Sequence, residues 1–115
     1  MSELATLRTE HDGTRFVVHV AGEIDISNAQ DLEMRIERGV PKEVMVLMLD
    51  LSGTKYLDSS GVALLLRLSD RLRSRRIALR VVVPPDNPIR GVLELTGLSR
   101  LLALDEELAT EVDAD

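Results

Sequence analysis

The residues best placed to do chemistry are Asp58, Ser59, Ser60 and Gly61, which follow Tyr56-Leu57 and open the apolar run from Val62 to Leu72. The pattern reads as a loop that turns sharply into a helix. Asp and Ser are favoured at such a start because their side-chain oxygens satisfy backbone N–H groups the helix leaves unpaired. The same end carries partial positive charge and suits an anion such as a phosphate. Gly61, in the first turn, leaves room for another backbone or a nucleotide phosphate to approach. A serine so presented can cap the helix, and it can also carry a phosphate whose presence a partner reads. The two roles are compatible, and Ser59 is the expected carrier.

Three other features could carry chemistry. Asp25 precedes Ser27-Asn28-Ala29-Gln30, where Ser followed three residues later by Gln has the form of a capping box, so a helix is expected from Ser27. Asp25 is then either a turn residue bonded to its own backbone or a contact residue on the same surface as Ser59; spacing alone does not separate the two. His19 has no second His, Cys or acidic cluster at ligand spacing, and it reads as a half-exposed strand residue. Arg67, Arg71, Arg73, Arg75, Arg76 and Arg80 form a basic run in an acidic chain, either a solvated helix face or a docking patch for an acidic partner.

The elements that must position these residues follow from periodicity. Val44 to Leu51 is apolar nearly throughout, as a central strand covered on both faces requires, and it delivers the Ser59 loop through a turn at Ser52-Gly53-Thr54-Lys55. Ahead of it, Leu4 to Thr9 and Arg15 to Ala21 read as strands around the turn His11-Asp12-Gly13-Thr14. Phe16, Val18 and Val20 share one face of the second strand; Val17, His19 and Ala21 share the other. Ala29, Leu32, Ile36 and Val40 form the stripe of the first helix, ended by Gly39 and Pro41. The helix from about Ser59 to Arg73 has an apolar stripe wider than a surface helix needs, so it is either well buried or partly turned to a partner. Ile77 to Val83 is a further strand, Asn87-Pro88 starts a helix capped by Gly97, and Leu101 to Leu104 reads as a short edge strand. Asp105-Glu106-Glu107 is expected to open a last helix, with Val112 to Asp115 fraying. Strand–strand, then strand–helix alternation, implies one α/β domain over residues 1–115 with a mixed sheet of four to five strands and about four helices.

Composition sets limits on function. The net charge of −6 over 115 residues argues against nucleic acid as the main partner. One Phe, one Tyr and no Trp leave little on which bases could stack. The absence of cysteine excludes disulfides and cysteine-based metal or redox chemistry. No apolar stretch reaches the length of a membrane span, so residence in the cytoplasm is expected. No cofactor and no metal are expected.

Four segments in order carry a family resemblance: Gly22-Glu23-Ile24-Asp25, Leu49-Asp50-Leu51-Ser52, Leu57-Asp58-Ser59-Ser60-Gly61 and Leu93-Glu94-Leu95-Thr96-Gly97-Leu98. From about Arg15 to Leu104 the chain resembles the STAS-domain family, in particular the small bacterial anti-sigma-factor antagonists. The resemblance implies a STAS-like fold and makes Ser59 the phosphoacceptor, with Asp25 and Asp58 as flanking acidic positions. It implies that the unphosphorylated form binds an anti-sigma factor that is also an ATP-dependent serine kinase. That binding frees the sigma subunit of RNA polymerase, and a PP2C-type phosphatase resets the switch. The partner-binding surface is expected at Asp25, Asp58, Ser59, Ser60 and Gly61, in a monomer or weak dimer.

Rival readings make distinct demands. A serine hydrolase needs a positioned base, and neither His11 nor His19 lies in a catalytic loop pattern. Paired carboxylates among Asp25, Asp50 and Asp58 come with no pocket signal. A phospho-Asp receiver, suggested by Asp50 at a strand end, would open strand–helix and use a late lysine, whereas the last lysine here is Lys55. A STAS scaffold subunit of a stress-signalling assembly keeps the fold and changes the role; it would elute with its partners as a large particle.

Overall fold

The computed structural model describes residues 4–108. The elements are β1 (Ala5–Asp12), β2 (Arg15–Ile24), α1 (Ala29–Gly39), β3 (Val46–Asp50), β4 (Thr54–Leu57), α2 (Ser59–Ser74), β5 (Ala78–Val82), α3 (Ile89–Leu95), α4 (Leu98–Leu101) and β6 (Ala103–Asp105). Strands lie in the order β1-β2-β3-β5-β6, with β4 paired to the far end of β2. The β1–β2 hairpin is antiparallel and every other pairing is parallel. This is the expected mixed α/β sheet with one strand more than expected. The extra strand is β4, which begins inside the anticipated Ser52–Lys55 turn. Its four residues alternate poorly, since Lys55 and Tyr56 are both exposed while Thr54 and Leu57 are buried.

One apolar cluster draws on all four helices and on Phe16, Val18 and Val20 of β2, Leu47 and Leu49 of β3, and Val81 of β5. The helices therefore cover one face of the sheet. Each fully buried Leu, such as Leu65, Leu68 and Leu72 of α2, contributes about 1.5–3 kcal/mol. On the opposite face Val17, Met48 and Val82 form a small second cluster with Leu108 against it, so β3 is covered on both sides, as its unbroken apolar run requires. The apolar stripe of α2 is mainly buried, with Leu66 its exposed member.

Several local expectations are corrected. Ser27 does not cap α1. The helix starts at Ala29 with Asn28 at its cap and no side-chain cap bond, because Ser27 donates its hydroxyl to the Asp25 carboxylate at 2.5 Å. A charged acceptor holds a hydroxyl more strongly than a neutral partner does. The last short strand is displaced: Leu101 ends α4, and β6 runs from Ala103. Asp105 closes β6 instead of opening a helix, held by a two-pronged ion pair with Arg80 (2.6 and 2.9 Å). Glu106 and Glu107 are not helical, and the remainder of that expected helix, with the fraying end, lies outside the described residues. Gly97 does end α3 in the left-handed conformation (φ 80°), as its position implied. Among the described residues no helix is long and apolar enough to cross a membrane.

Candidate functional site

Parallel pairing of β2 with β4 builds the site. The register sets Ile24 beside Leu57, so the next residues, Asp25 and Asp58, begin two loops that leave the sheet side by side. Gly22 permits this. Its φ of 108° accompanies a register shift at Gly22/Glu23, and a Cβ there would lie 2.2 Å from the Leu4 carbonyl oxygen. Only glycine fits that conformation and that contact.

Asp58 caps α2. Its carboxylate accepts the N–H of Ser60 at 2.8 Å and of Gly61 at 3.4 Å, and its carbonyl accepts Val62 N–H at 3.0 Å. Three successive donors at the helix tip are thereby occupied, so the tip is not the open anion seat that helix polarity suggested. Ser59 is exposed and Ser60 half-buried. Among the described residues neither hydroxyl bonds another protein group. Gly61 is buried, and the space it leaves is filled from inside: a Cβ would come within 2.6 Å of Leu57 Cγ and 3.3 Å of Ile24 Cγ2. The glycine seats α2 on the strand ends.

Asp25 adopts the turn arrangement. It accepts Ser27 N–H at 2.9 Å and Ser27 Oγ–H, while Asn28 binds Asp25 N–H and the Glu23 carbonyl. The Ser27 hydroxyl, with the Ser27 and Asn28 backbone, holds the Asp25 carboxyl below the usual range. The loop is thus self-contained, and the strand register places it next to the Ser59 loop.

Ser59 and Ser60 stand at the mouth of a groove of about 790 Å³ between α1 and α2, whose walls include Ile26, Met34, Ala63 and Arg67. Ile26 is 83% exposed and Met34 43%, so two uncovered apolar side chains flank the serines. Sequence reasoning missed both. The available signal was Ile26, an apolar residue in a loop between Asp25 and Ser27. Along the groove, buried Glu33 on α1 pairs with Arg67 at 2.8 Å and Arg71 at 3.6 Å, and Glu37 pairs with Arg71 at 3.4 Å. Burial and a hydrogen bond with Glu33 push the Glu37 carboxyl up, outweighing Arg71. Arg73 pairs with Asp70, Arg75 reaches the Glu37 carbonyl, and Arg80 holds Asp105. Most of the basic run is therefore neutralised within the chain.

His19 lies on the opposite face. Nδ1 faces Asp50 Oδ2 at 2.6 Å and Nε2 faces Glu10 Oε2 at 2.5 Å. The two partners come from the strands on either side, 31 and 9 residues away, which spacing did not reveal. His11 faces the Gly13 carbonyl and Glu43. Among the described residues no group of three or more His, Cys, Asp or Glu is placed to hold a metal ion.

The STAS domain model matches residues 6–113. The anti-sigma-B factor antagonist of Listeria monocytogenes is 33% identical over 95 residues, covering 83% of this chain and 82% of that protein. The crystal structure of an anti-sigma factor antagonist from Mycobacterium paratuberculosis superposes with a TM-score of 0.79 at 31% identity, covering 90% of this chain and 87% of that one. The Bacillus cell fate determinant SpoIIAA, at 20% identity, shares the fold. Its unphosphorylated form gives a TM-score of 0.71 (89% and 90% covered) and its phosphorylated form 0.64 (89% and 93%).

Proposed function

Because the chain belongs to the STAS domain family, we propose that it is an anti-sigma-factor antagonist whose Ser59 is a phosphorylation switch. In the unphosphorylated state it binds an anti-sigma factor that is also a serine kinase, and so releases the sigma factor. A PP2C-type phosphatase returns the modified form to that state, and the cycle runs in the cytoplasm. The observation that carries this reading is Ser59 itself: an exposed hydroxyl, unbonded among the described residues, at a capped helix tip beside a groove edged by Ile26 and Met34. Family names of the Listeria and Mycobacterium relatives support it.

The switch acts on an interface and leaves the domain folded. A phosphate adds about −1.5 to −2 charge. The helix end favours an anion by about 0.3–1 kcal/mol, but Asp58 already occupies its donors. At roughly 5 Å and an effective dielectric near 20, repulsion from one neighbouring carboxylate is about 3 kcal/mol before screening. The phosphate therefore points outward, where a packed partner would have to bury it unpaired. A loss of about 3–4 kcal/mol weakens affinity several hundredfold. The acceptor hydroxyl needs no activation by this chain, since a kinase supplies base, metal and nucleotide. Asp25, Asp58 and Ser60 complete the contact surface, with Gly61 holding the tip in place.

Pull-down from the source cells with and without ATP, followed by phosphopeptide mapping, tests the reading. Ser59→Ala is expected to keep partner binding and take up no phosphate, and Ser59→Asp to lose binding. Phosphate found only on Ser60, or unchanged binding by Ser59→Asp, would overturn it.

A further inference from the structure

The outer edge of β1 belongs to different elements from those that form the serine groove. Among the described residues β1 pairs with β2 alone and lies at the end of the sheet. Its register with β2 is unbroken from Ala5↔Gly22 to Asp12↔Arg15. Glu23 N–H bonds the Leu4 carbonyl at 3.0 Å, which fixes the phase. In an antiparallel ladder hydrogen-bonded positions alternate, so Thr6, Arg8, Glu10 and Asp12 direct their backbone groups to β2. Ala5, Leu7, Thr9 and His11 direct theirs away from the sheet.

We propose that this edge pairs with β1 of a second copy of the chain, antiparallel about a two-fold axis at Thr9. Thr9 then faces Thr9, and Leu7 faces His11, as hydrogen-bonded pairs built from the outward N–H and C=O groups. Between them Arg8 stands opposite Glu10 of the second copy, twice, and Thr6 opposite Asp12. Within the chain Arg8 and Glu10 pair with each other at 3.3 Å, and their side chains are 69% and 56% exposed, so both can exchange that contact for one across the seam, although Glu10 also faces His19. Centring the axis on Arg8 or on Glu10 keeps the hydrogen-bond phase but sets Arg8 against Arg8, or Glu10 against Glu10. Like charges directly opposite destabilise a strand pair. An axis at His11 sets Glu10 against Asp12, and one at Leu7 leaves Arg8 opposite Thr6 and Glu10 opposite Leu4. Charges on an edge strand commonly prevent pairing; here only the Thr9 axis sets opposite charges face to face with no like pair, which favours that register of self-pairing. The opposite edge, β6, has only three residues, too few for a comparable ladder.

Sedimentation velocity of the full chain over a wide concentration range tests this. A monomer–dimer equilibrium is expected, with Thr9→Pro removing the dimer, since proline deletes an outward N–H and is tolerated on an edge. Arg8→Glu and Glu10→Arg, each alone, should weaken association at least tenfold. Mixed together they should form a heterodimer, seen by native mass spectrometry, because both cross-strand pairs are again opposite in sign. For the unaltered chain, the Leu7, Thr9 and His11 amides should exchange more slowly at high concentration. A wild-type chain that stays monomeric throughout, a dimer that survives Thr9→Pro, or a failed mixture would overturn the proposal; association only with another protein's strand would do the same.

Discussion

The sequence Asp-x-Ser occurs at Asp25, Asp50 and Asp58, and the three corners differ in one respect. At the first two, the carboxylate takes both donors of the serine two residues on: Ser27 N–H at 2.9 Å and Oγ–H at 2.5 Å, Ser52 N–H at 3.0 Å and Oγ–H at 2.7 Å. At Asp58 the carboxylate takes Ser60 N–H but then Gly61 N–H, and the hydroxyl is left out. The cause is the element next in the chain. No helix starts directly after Asp25 or Asp50, so the serine hydroxyl is the nearest second donor. After Asp58 the first turn of α2 presents another backbone N–H instead. A helix start thus frees the Ser60 hydroxyl that an ordinary turn would consume, and a second serine, the exposed Ser59, stands at the middle position that Ile26 and Leu51 hold in the other two corners.

The largest expected effect comes from that difference. Incubated with the serine kinase proposed above and ATP, the chain should be phosphorylated at Ser59 and not at Ser27 or Ser52. Ser59→Ala should abolish incorporation, whereas Ser27→Ala and Ser52→Ala should leave it within about twofold. Phosphate on Ser27 or Ser52 in the folded protein, read by mass spectrometry, would break the comparison.

Next in size is the cap. Asp58→Ala removes the acceptor of two helix-tip donors and should cost about 1–2 kcal/mol in urea unfolding. It should also loosen the tip, seen as faster exchange of the Ser60 and Gly61 amides. A cost below about 0.5 kcal/mol would mean that the tip is held by the packing of Gly61 against Leu57 and Ile24 and not by its cap.

The Asp50 corner supplies a pH dependence. Burial raises the Asp50 carboxyl, but bonds from the Ser52 hydroxyl and N–H and from His19 outweigh it, leaving the group below the usual range. A carboxyl whose pKa is depressed on folding stabilises the fold above its unfolded value, near 4, and loses that contribution as pH falls through the folded value. Solvent screening keeps this to under about 1 kcal/mol. The stability difference between wild type and Asp50→Asn should therefore be present at pH 7 and shrink on acidification below about 4. A difference unchanged at pH 3 would show that Asp50 acts through shape and not charge.

Legibility in the sequence depends on range. The strands of Val44–Leu51 and Ile77–Val83, the α1 stripe and the Asp58 cap arise from local periodicity and local donors, and the structure reproduces them. The serine-bearing tip was legible for the same reason. Strand β4 was not: four residues, two of them exposed, carry no period, and only pairing with Gly22–Ile24 makes them a strand. Ser27 misled because its capping pattern competes with a carboxylate two residues earlier, and the charge wins. The groove beside Ser59 needs α1 and α2 packed side by side, with Glu33 meeting Arg67 across 34 positions. Such contacts are set by the fold.

The smallest expected effect is also the sharpest test of the comparison. Ser52→Ala deletes a hydroxyl bonded to the buried Asp50 carboxylate and should cost about 0.5–1.5 kcal/mol. Ser60→Ala deletes a half-buried hydroxyl that bonds nothing else among the described residues, and alanine is the better helix former. It should therefore change stability by less than about 0.5 kcal/mol, in either direction. The two substitutions remove the same oxygen from the same motif, so urea titrations of the pair isolate the bond itself. Equal costs would mean that the Ser60 hydroxyl is engaged after all. The contrast between the Asp58 corner and the other two would then fail.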